Sequence, residues 1–240
     1  MILAGGLGSR LYPCTLVTNK HLLPVYDKPM IYYPIETLVR AGCKDILIVS
    51  GSALGEIAKL IGNGHEFGLE SVLYAYQDKA DGISGALRLA KSFVGKEKFI
   101  VILGDNILFD DISSYVEQFI NEPDKSCKLF IKEIENPTSF GVAEIRNDRI
   151  VRIIEKPKIP VSNYAVIGLY MYDYHVFDLI KDLKPSKRGE LEITDVNMIY
   201  VNQNRVSHAI LQSKWIDAGS VKSLLEASNL IAQMSENKTI

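Results

Sequence analysis

Short apolar runs rich in β-branched residues alternate along the chain with stretches whose apolar positions recur every three to four residues. Asp45 to Ser50 and Phe99 to Leu103 have the first pattern. Ile46, Ile48 and the unbroken Ile100-Val101-Ile102-Leu103 suit strands covered on both faces. Ile35 to Ala41 and Ile83 to Phe93 have the second, with Leu87, Leu89, Ala90 and Phe93 assigned to one helical face. The alternation predicts parallel strand-helix-strand units, an α/β fold whose ligands lie beyond the carboxyl ends of its strands. From about Cys127 the pattern changes to longer strands and a hairpin, Val142 to Arg146 and Arg149 to Glu155 about a turn at Asn147-Asp148. A last helix covers about Val221 to Met234. With no Pro/Ser-rich linker, repeat or low-complexity run, a single domain over residues 1–240 is expected, with two halves meeting near residue 126.

The first apolar run is followed at once by Leu3-Ala4-Gly5-Gly6-Leu7-Gly8-Ser9-Arg10-Leu11, and then by Lys20 in Asn19-Lys20-His21-Leu22-Leu23-Pro24. Gly5, Gly6 and Gly8 can adopt positive φ and carry no Cβ, so backbone N–H groups can crowd a chain of phosphates while Arg10 and Lys20 supply charge. The loop is not a P-loop, because Gly8 is followed by Ser9-Arg10 rather than Lys-Ser/Thr. It is not a dinucleotide fingerprint either, because Leu11 stands where a third small residue belongs.

Asp105 follows a strand and one glycine, and Asp217 lies in Trp215-Ile216-Asp217-Ala218-Gly219, a second strand end before a glycine turn. One such aspartate could be a helix cap. Two suit Mg²⁺, which takes one or two carboxylates and completes its shell from substrate phosphates.

Composition narrows the partners. Of 240 residues 47% are hydrophobic and 23% charged, enough for a sizeable core. Lys plus Arg number 27 against 29 Asp plus Glu, and a net charge of -2 argues against nucleic acid or an anionic membrane as partner. Cys14, Cys43 and Cys127 are odd in number and widely spaced, which gives neither a disulfide framework nor a metal site. No signal peptide or membrane-length apolar run is visible, so the expected compartment is the cytoplasm. His21, His65, His175 and His208 lack ligand spacing, and His21 alone borders the glycine loop.

Taken in order, the glycine loop, Lys20-His21-Leu22-Leu23-Pro24, Lys28 to Pro34, Leu103-Gly104-Asp105-Asn106, Glu155-Lys156-Pro157, Arg188 to Asp195 and Trp215 to Gly219 resemble the sugar-phosphate nucleotidyltransferases, and within them the shorter glucose-1-phosphate thymidylyltransferases. The resemblance spans nearly the whole chain. It implies a Rossmann-like, GT-A-like nucleotidyltransferase fold: a mixed central sheet flanked by helices, with a sugar-side β insertion. It implies Mg²⁺-dependent transfer of a thymidylyl group from dTTP to glucose 1-phosphate, and leaves room for a homo-oligomer.

By the same resemblance Arg10, Lys20 and Asp105 are catalytic, and Asp105 and Asp217 hold the metal. Gly5, Gly6, Gly8, Ser9, Arg10, Lys20 and His21 bind the nucleotide, as do Gln77 and Gly82, which read the base. Asn106, Phe140, Gly141, Glu155, Lys156, Val166 and Arg188 bind the sugar phosphate. A guanidinium and an ammonium together suit one dianionic group. Phe140 replaces a tyrosine frequent in longer members and lacks its hydroxyl. Asp78-Lys79-Ala80 replaces a segment with two prolines, and Gly85 replaces a frequent glutamine, so the base edge is the point of greatest departure. A glutamine amide can turn to suit thymine, uracil or cytosine. Uridylyl transfer, a catalytically silent nucleotide-sugar sensor and a dinucleotide oxidoreductase are the alternatives; the sensor would be expected to lack one of the two cations or two aspartates, and the oxidoreductase needs the missing glycine. Longer members continue past the last helix into part of a second, regulatory nucleotide-sugar site. With Ser235 to Ile240 following here, feedback is expected to be weak or purely competitive with the triphosphate.

Overall fold

The computed structural model describes residues 1–237, and Lys238, Thr239 and Ile240 of the polar tail lie outside the described residues. The fold is mixed α/β and divides into two compact units, each assembled from separate stretches of chain. One unit comprises Ile2–Tyr76, Leu103–Asp111 and the chain from Ser213; the other comprises Met1, Gln77–Ile102 and Ile112–Gln212.

In the first unit the strands Ile2–Leu3, Asp45–Ser50 and Ser71–Tyr76 are parallel, with Ile2 opposite Ile48 and Asp45 opposite Ser71. Ile46, Ile48 and Val49 are buried, as expected of strands covered on both faces. The chain leaves the short first strand tied to its neighbour: Ala4 N donates to Val49 O at 2.8 Å, and Ser50 Oγ donates to Ala4 O at 2.8 Å. The glycine loop therefore starts at a strand's carboxyl end. The helix Tyr32–Arg40 begins three residues before the apolar pattern does, because Pro34 sits in its first turn, where an absent N–H is no loss.

A two-stranded antiparallel ladder joins Asn106–Leu108 to Trp215–Asp217, with Asp217 opposite Asn106. Ile107 and Ile216 face a cluster containing Val25, Met30, Tyr33 and Ala227. The helix Val221–Glu236 lays Leu224, Leu230 and Ile231 on that cluster and starts at a capping box in which Ser220 and Ser223 exchange side-chain-to-backbone bonds.

The second unit is organised by Tyr164–Tyr172, buried along almost its whole length. It pairs antiparallel with Phe99–Leu103, Cys127–Glu133 and Gly141–Arg146, and Val206–Ile210 adds a parallel partner to Cys127–Glu133. The expected hairpin is Gly141–Arg146 with Arg149–Glu155, its turn residues Asn147 and Asp148 at φ 49 and 57, as a two-residue hairpin turn requires. The stretch read as one helix from Ile83 to Phe93 runs as Ile83–Leu87, a tighter turn Arg88–Ala90, and Lys91–Val94, all right-handed at the junctions. Among the described residues no helix is long and apolar enough to cross a membrane.

Candidate active site

The glycine loop takes the shape its sequence permits. Gly6 and Gly8 are left-handed, at φ 93 and 62, while Gly5 is not. A Cβ on Gly8 would lie 2.8 Å from Thr15 Cγ2 and 3.2 Å from Lys20 Cβ, and Thr15 Oγ1 donates to Gly8 O at 3.1 Å. The loop is thus folded against the two residues that close it. Ser9 and Arg10 continue into a single 3-10 turn, Ser9–Leu11.

Lys20 opens a second such turn, Lys20–Leu22, capped by Asn19, whose Oδ1 accepts from His21 N at 2.9 Å. His21 Nδ1 lies 2.7 Å from the same oxygen, which places the ring proton on Nδ1. Burial, reinforced by the Lys20 charge, pushes His21 down to about 3, so the ring is neutral and brings no cationic charge to the loop. It packs where Gly104 has no side chain: a Cβ there would meet His21 Cδ2 at 2.6 Å and Leu3 O at 3.1 Å.

Lys20 Nζ lies 2.5 Å from Asp105 Oδ2, and both side chains are largely buried. Asn106 Nδ2 donates to the other Asp105 oxygen at 3.1 Å, and Trp215 Nε1 donates to Asn106 Oδ1 at 2.7 Å. Burial alone would raise the Asp105 carboxyl; the Lys20 charge and these bonds overcome it and hold the group below the usual carboxylate range.

Asp217 accepts from Gly219 N at 2.9 Å and faces the Arg10 guanidinium at 3.6 Å. Its carboxyl is raised by burial and then by the nearby charge of Asp105. Gly219 is where these groups converge: a Cβ there would lie 2.7 Å from Arg10 Nη2, 2.7 Å from Asp217 Oδ1 and 3.3 Å from Asp105 Oδ2. Gly219→Ala, at a position without left-handed strain, is therefore expected to lower kcat/KM by ~10²-fold through misplacement of these groups. A thermal melt should move little; an alanine variant with unchanged kinetics would show that this space is not used.

In the second unit Glu155, Lys156 and Arg188 lie together. Arg188 donates from Nε and Nη2 to Glu192 at 3.1 and 2.8 Å and from Nη2 to Glu190 at 2.9 Å, with Glu155 Oε1 3.7 Å away. Nη1 has no described partner. Lys156, at φ 43, extends Nζ to 3.9 Å from Glu155, and its backbone N donates to Phe140 O at 3.0 Å. Thr194 Oγ1 donates to Glu155 Oε2 at 2.5 Å, and a Cβ on Gly141 would touch both side chains, at 3.2 and 3.5 Å. Val166 is registered opposite Gly141. Gln77 and Gly82 adjoin, and Leu191, two residues beyond Gly189, ties that loop to the Arg188 segment through its N–H to Asp81 O at 2.8 Å.

Asn106 belongs with Asp105 in the first unit, whereas the other residues implied for the sugar phosphate belong to the second. Thr15 and Asp81 lie outside the sequence motifs, and Asn19, Thr194 and Gly219 lie inside them with no role of their own assigned, since each acts through the neighbour it orients or makes room for. Only Asn19, a small polar residue before Lys20-His21, carried a local capping signal.

A model of the nucleotidyl transferase family matches residues 1–234. The chain belongs to the nucleotidyltransferase family. It is 41% identical over 235 residues to a glucose-1-phosphate thymidylyltransferase of Neisseria meningitidis, covering 96% of this chain and 81% of that one. A Mycobacterium tuberculosis protein of the same name is 39% identical over 243 residues, covering 99% and 83%. Among solved structures, a Bacillus anthracis protein assigned as a glucose-1-phosphate thymidylyltransferase, crystallised with a sucrose, superimposes with TM-score 0.91 at 50% identity, over 95% of this chain and 93% of that one. A UDP-glucose pyrophosphorylase bound to UDP-glucose gives 0.83 at 26% identity, over 97% of each.

Proposed function

We propose that this nucleotidyltransferase transfers a thymidylyl group from dTTP to glucose 1-phosphate, releasing pyrophosphate, as one nucleotidyltransferase domain over residues 1–240. The observation that carries the reading is the convergence at Gly219 of two carboxylates and a guanidinium, beside a left-handed glycine loop closed by Lys20. The names of the relatives direct it to thymidylyl transfer to glucose 1-phosphate.

Asp105 and Asp217 fit Mg²⁺. Both are hard oxygen donors, the charge of Asp105 adds to burial in raising the Asp217 carboxyl, which a cation between them would relieve, and no group of three or more ligating side chains competes among the described residues. When bound, the ion would neutralise charge on the triphosphate. The remaining work falls to the protein. The loop N–H groups and Arg10 hold the departing phosphates, and Lys20 is placed to exchange Asp105 for the α-phosphate as charge grows there. The attacking phosphate is already ionised near neutral pH, so no general base is required. Arg188, oriented by Glu192, offers Nη1 to the sugar phosphate; Lys156 adds a second cation, and Glu155, fixed by Thr194, accepts from sugar hydroxyls.

A pyrophosphate-release screen over nucleoside triphosphates and sugar 1-phosphates tests the assignment. The highest kcat/KM is expected with dTTP and glucose 1-phosphate. UTP use is the second reading, because a glutamine reading the base edge suits uracil as well as thymine. Arg188→Ala and Lys156→Ala are each expected to raise KM for glucose 1-phosphate roughly 10- to 100-fold, the worth of one charge-assisted hydrogen bond, with little change for the triphosphate. Equal rises for both substrates would remove the division of labour.

A further inference from the structure

Gln77 closes the strand Ser71–Tyr76, and its amide can in principle present either end to a base. The fold removes that freedom. Gln77 Nε2 lies 3.0 Å from Asp81 Oδ1 and 3.4 Å from the Gly82 carbonyl oxygen. A carboxylate and a carbonyl only accept, so the NH₂ end must face them and Oε1 is turned away from them. Reversing the amide would set its oxygen against two oxygens.

Asp81 is held in turn. Arg88 Nη2 donates to Asp81 Oδ2 at 2.6 Å, leaving Oδ1 for Gln77, and Leu191 N fixes the Asp81 backbone. At 27% and 50% side-chain exposure, this ion pair adds little stability; what it supplies is direction. Gly85 makes the arrangement sterically possible. A Cβ on Gly85 would fall 1.9 Å from Asp81 Oδ1 and 2.2 Å from its Cγ, so a larger residue would displace the carboxylate.

We infer that Asp81, Arg88 and Gly85 form a positioning device that locks the Gln77 amide with its oxygen toward the base, selecting a pyrimidine with an N3–H donor, thymine or uracil, over cytosine. Cytosine would set its N3 lone pair against the lone pairs of Oε1. The inference rests on Gln77 contacting the base, and it adds that Asp81, which need not touch the nucleotide, decides which base is accepted.

The test is calorimetric binding of dTTP and dCTP without sugar phosphate, so that no turnover occurs, to wild type, Asp81→Asn, Gly85→Ala and Gln77→Ala. Thermal melts and the KM for glucose 1-phosphate are measured alongside. In wild type dTTP is expected to bind more tightly. In Asp81→Asn the new amide can donate as well as accept, and Gln77 can reverse. The dTTP/dCTP affinity ratio is then expected to fall roughly tenfold or more, with dCTP binding improved and KM for the sugar phosphate unchanged. Gly85→Ala should reproduce this by displacing the carboxylate.

An unchanged ratio in both variants, while Gln77→Ala collapses it, overturns the lock and leaves Gln77 as the base contact. Equal weakening of both nucleotides in Asp81→Asn, at constant ratio, also overturns it, since a merely structural residue behaves so. A wild-type ratio in Gln77→Ala removes the reading on which the inference rests.

Discussion

Replacing Asp105 by asparagine is expected to lower kcat by about 10³-fold or more, because the substitution keeps the shape of the side chain and removes its charge. Asp105 is 6% exposed, with one oxygen accepting from Lys20 and the other from Asn106, so an isosteric amide fills the same space but turns its NH₂ toward one of these donors. The same substitution strands the largely buried Lys20 ammonium, and breaking a buried pair costs about 3–5 kcal/mol. A melting curve must therefore accompany the kinetics. Asp217→Asn separates the two effects. Its partner Arg10 is 61% exposed at 3.6 Å, so little stability is at stake, yet the proposed metal-binding role is lost as well. Asp217→Asn is expected to match Asp105→Asn in activity, to melt close to wild type, and to lose Mn²⁺ affinity by calorimetry. Wild-type turnover and ion dependence in either variant would remove that aspartate from the site.

Lys20→Met is expected to lower kcat by ~10²–10³-fold, with a smaller change in KM for the triphosphate. The ammonium sits among Asp105, the left-handed Gly6 and the close-packed Gly8, where it is only 14% exposed and its charge is poorly screened. A cation in such a place is worth most when charge appears beside it, that is, in the transition state rather than in the bound substrate. Arg10→Ala provides the contrast. With its side chain mostly exposed, it should act mainly on triphosphate KM, and steady-state kinetics with pyrophosphate detection distinguish the two. A Lys20→Met variant altered in KM alone would instead assign Lys20 to uniform binding.

The elements most readable from the sequence were those with a local cause. Asp45–Ser50, Phe99–Leu103 and the turn at Asn147-Asp148 follow from apolar runs and from residues tolerant of positive φ. Boundaries moved where a local rule was missed: Pro34 enters the first turn of its helix, and the segment after Gly82 tightens between Arg88 and Ala90. Glu190 and Glu192 stand close to Arg188 in the sequence, but that both bind it, ahead of a helix that begins only at Ile193, is a property of the folded loop.

By itself the sequence determined the left-handed turns of the glycine loop and the strands before it and before Asp105, and it singled out Arg10, Lys20, Asp105 and Asp217 as candidates, because each lies in a short local motif. What only the tertiary structure decided is how those motifs meet. Asp217 reaches Asp105 through a three-residue ladder between segments more than one hundred positions apart, and Gly219 then leaves open the space their oxygens share. His21 is pushed down to about 3 chiefly because the fold buries it, and the Gln77 amide acquires a fixed direction because Asp81, in space that Gly85 leaves open, comes to lie beside it. Charge state, amide orientation and empty volume depend on neighbours distant in the chain, or on backbone geometry that residue identity leaves free, and a linear pattern specifies neither.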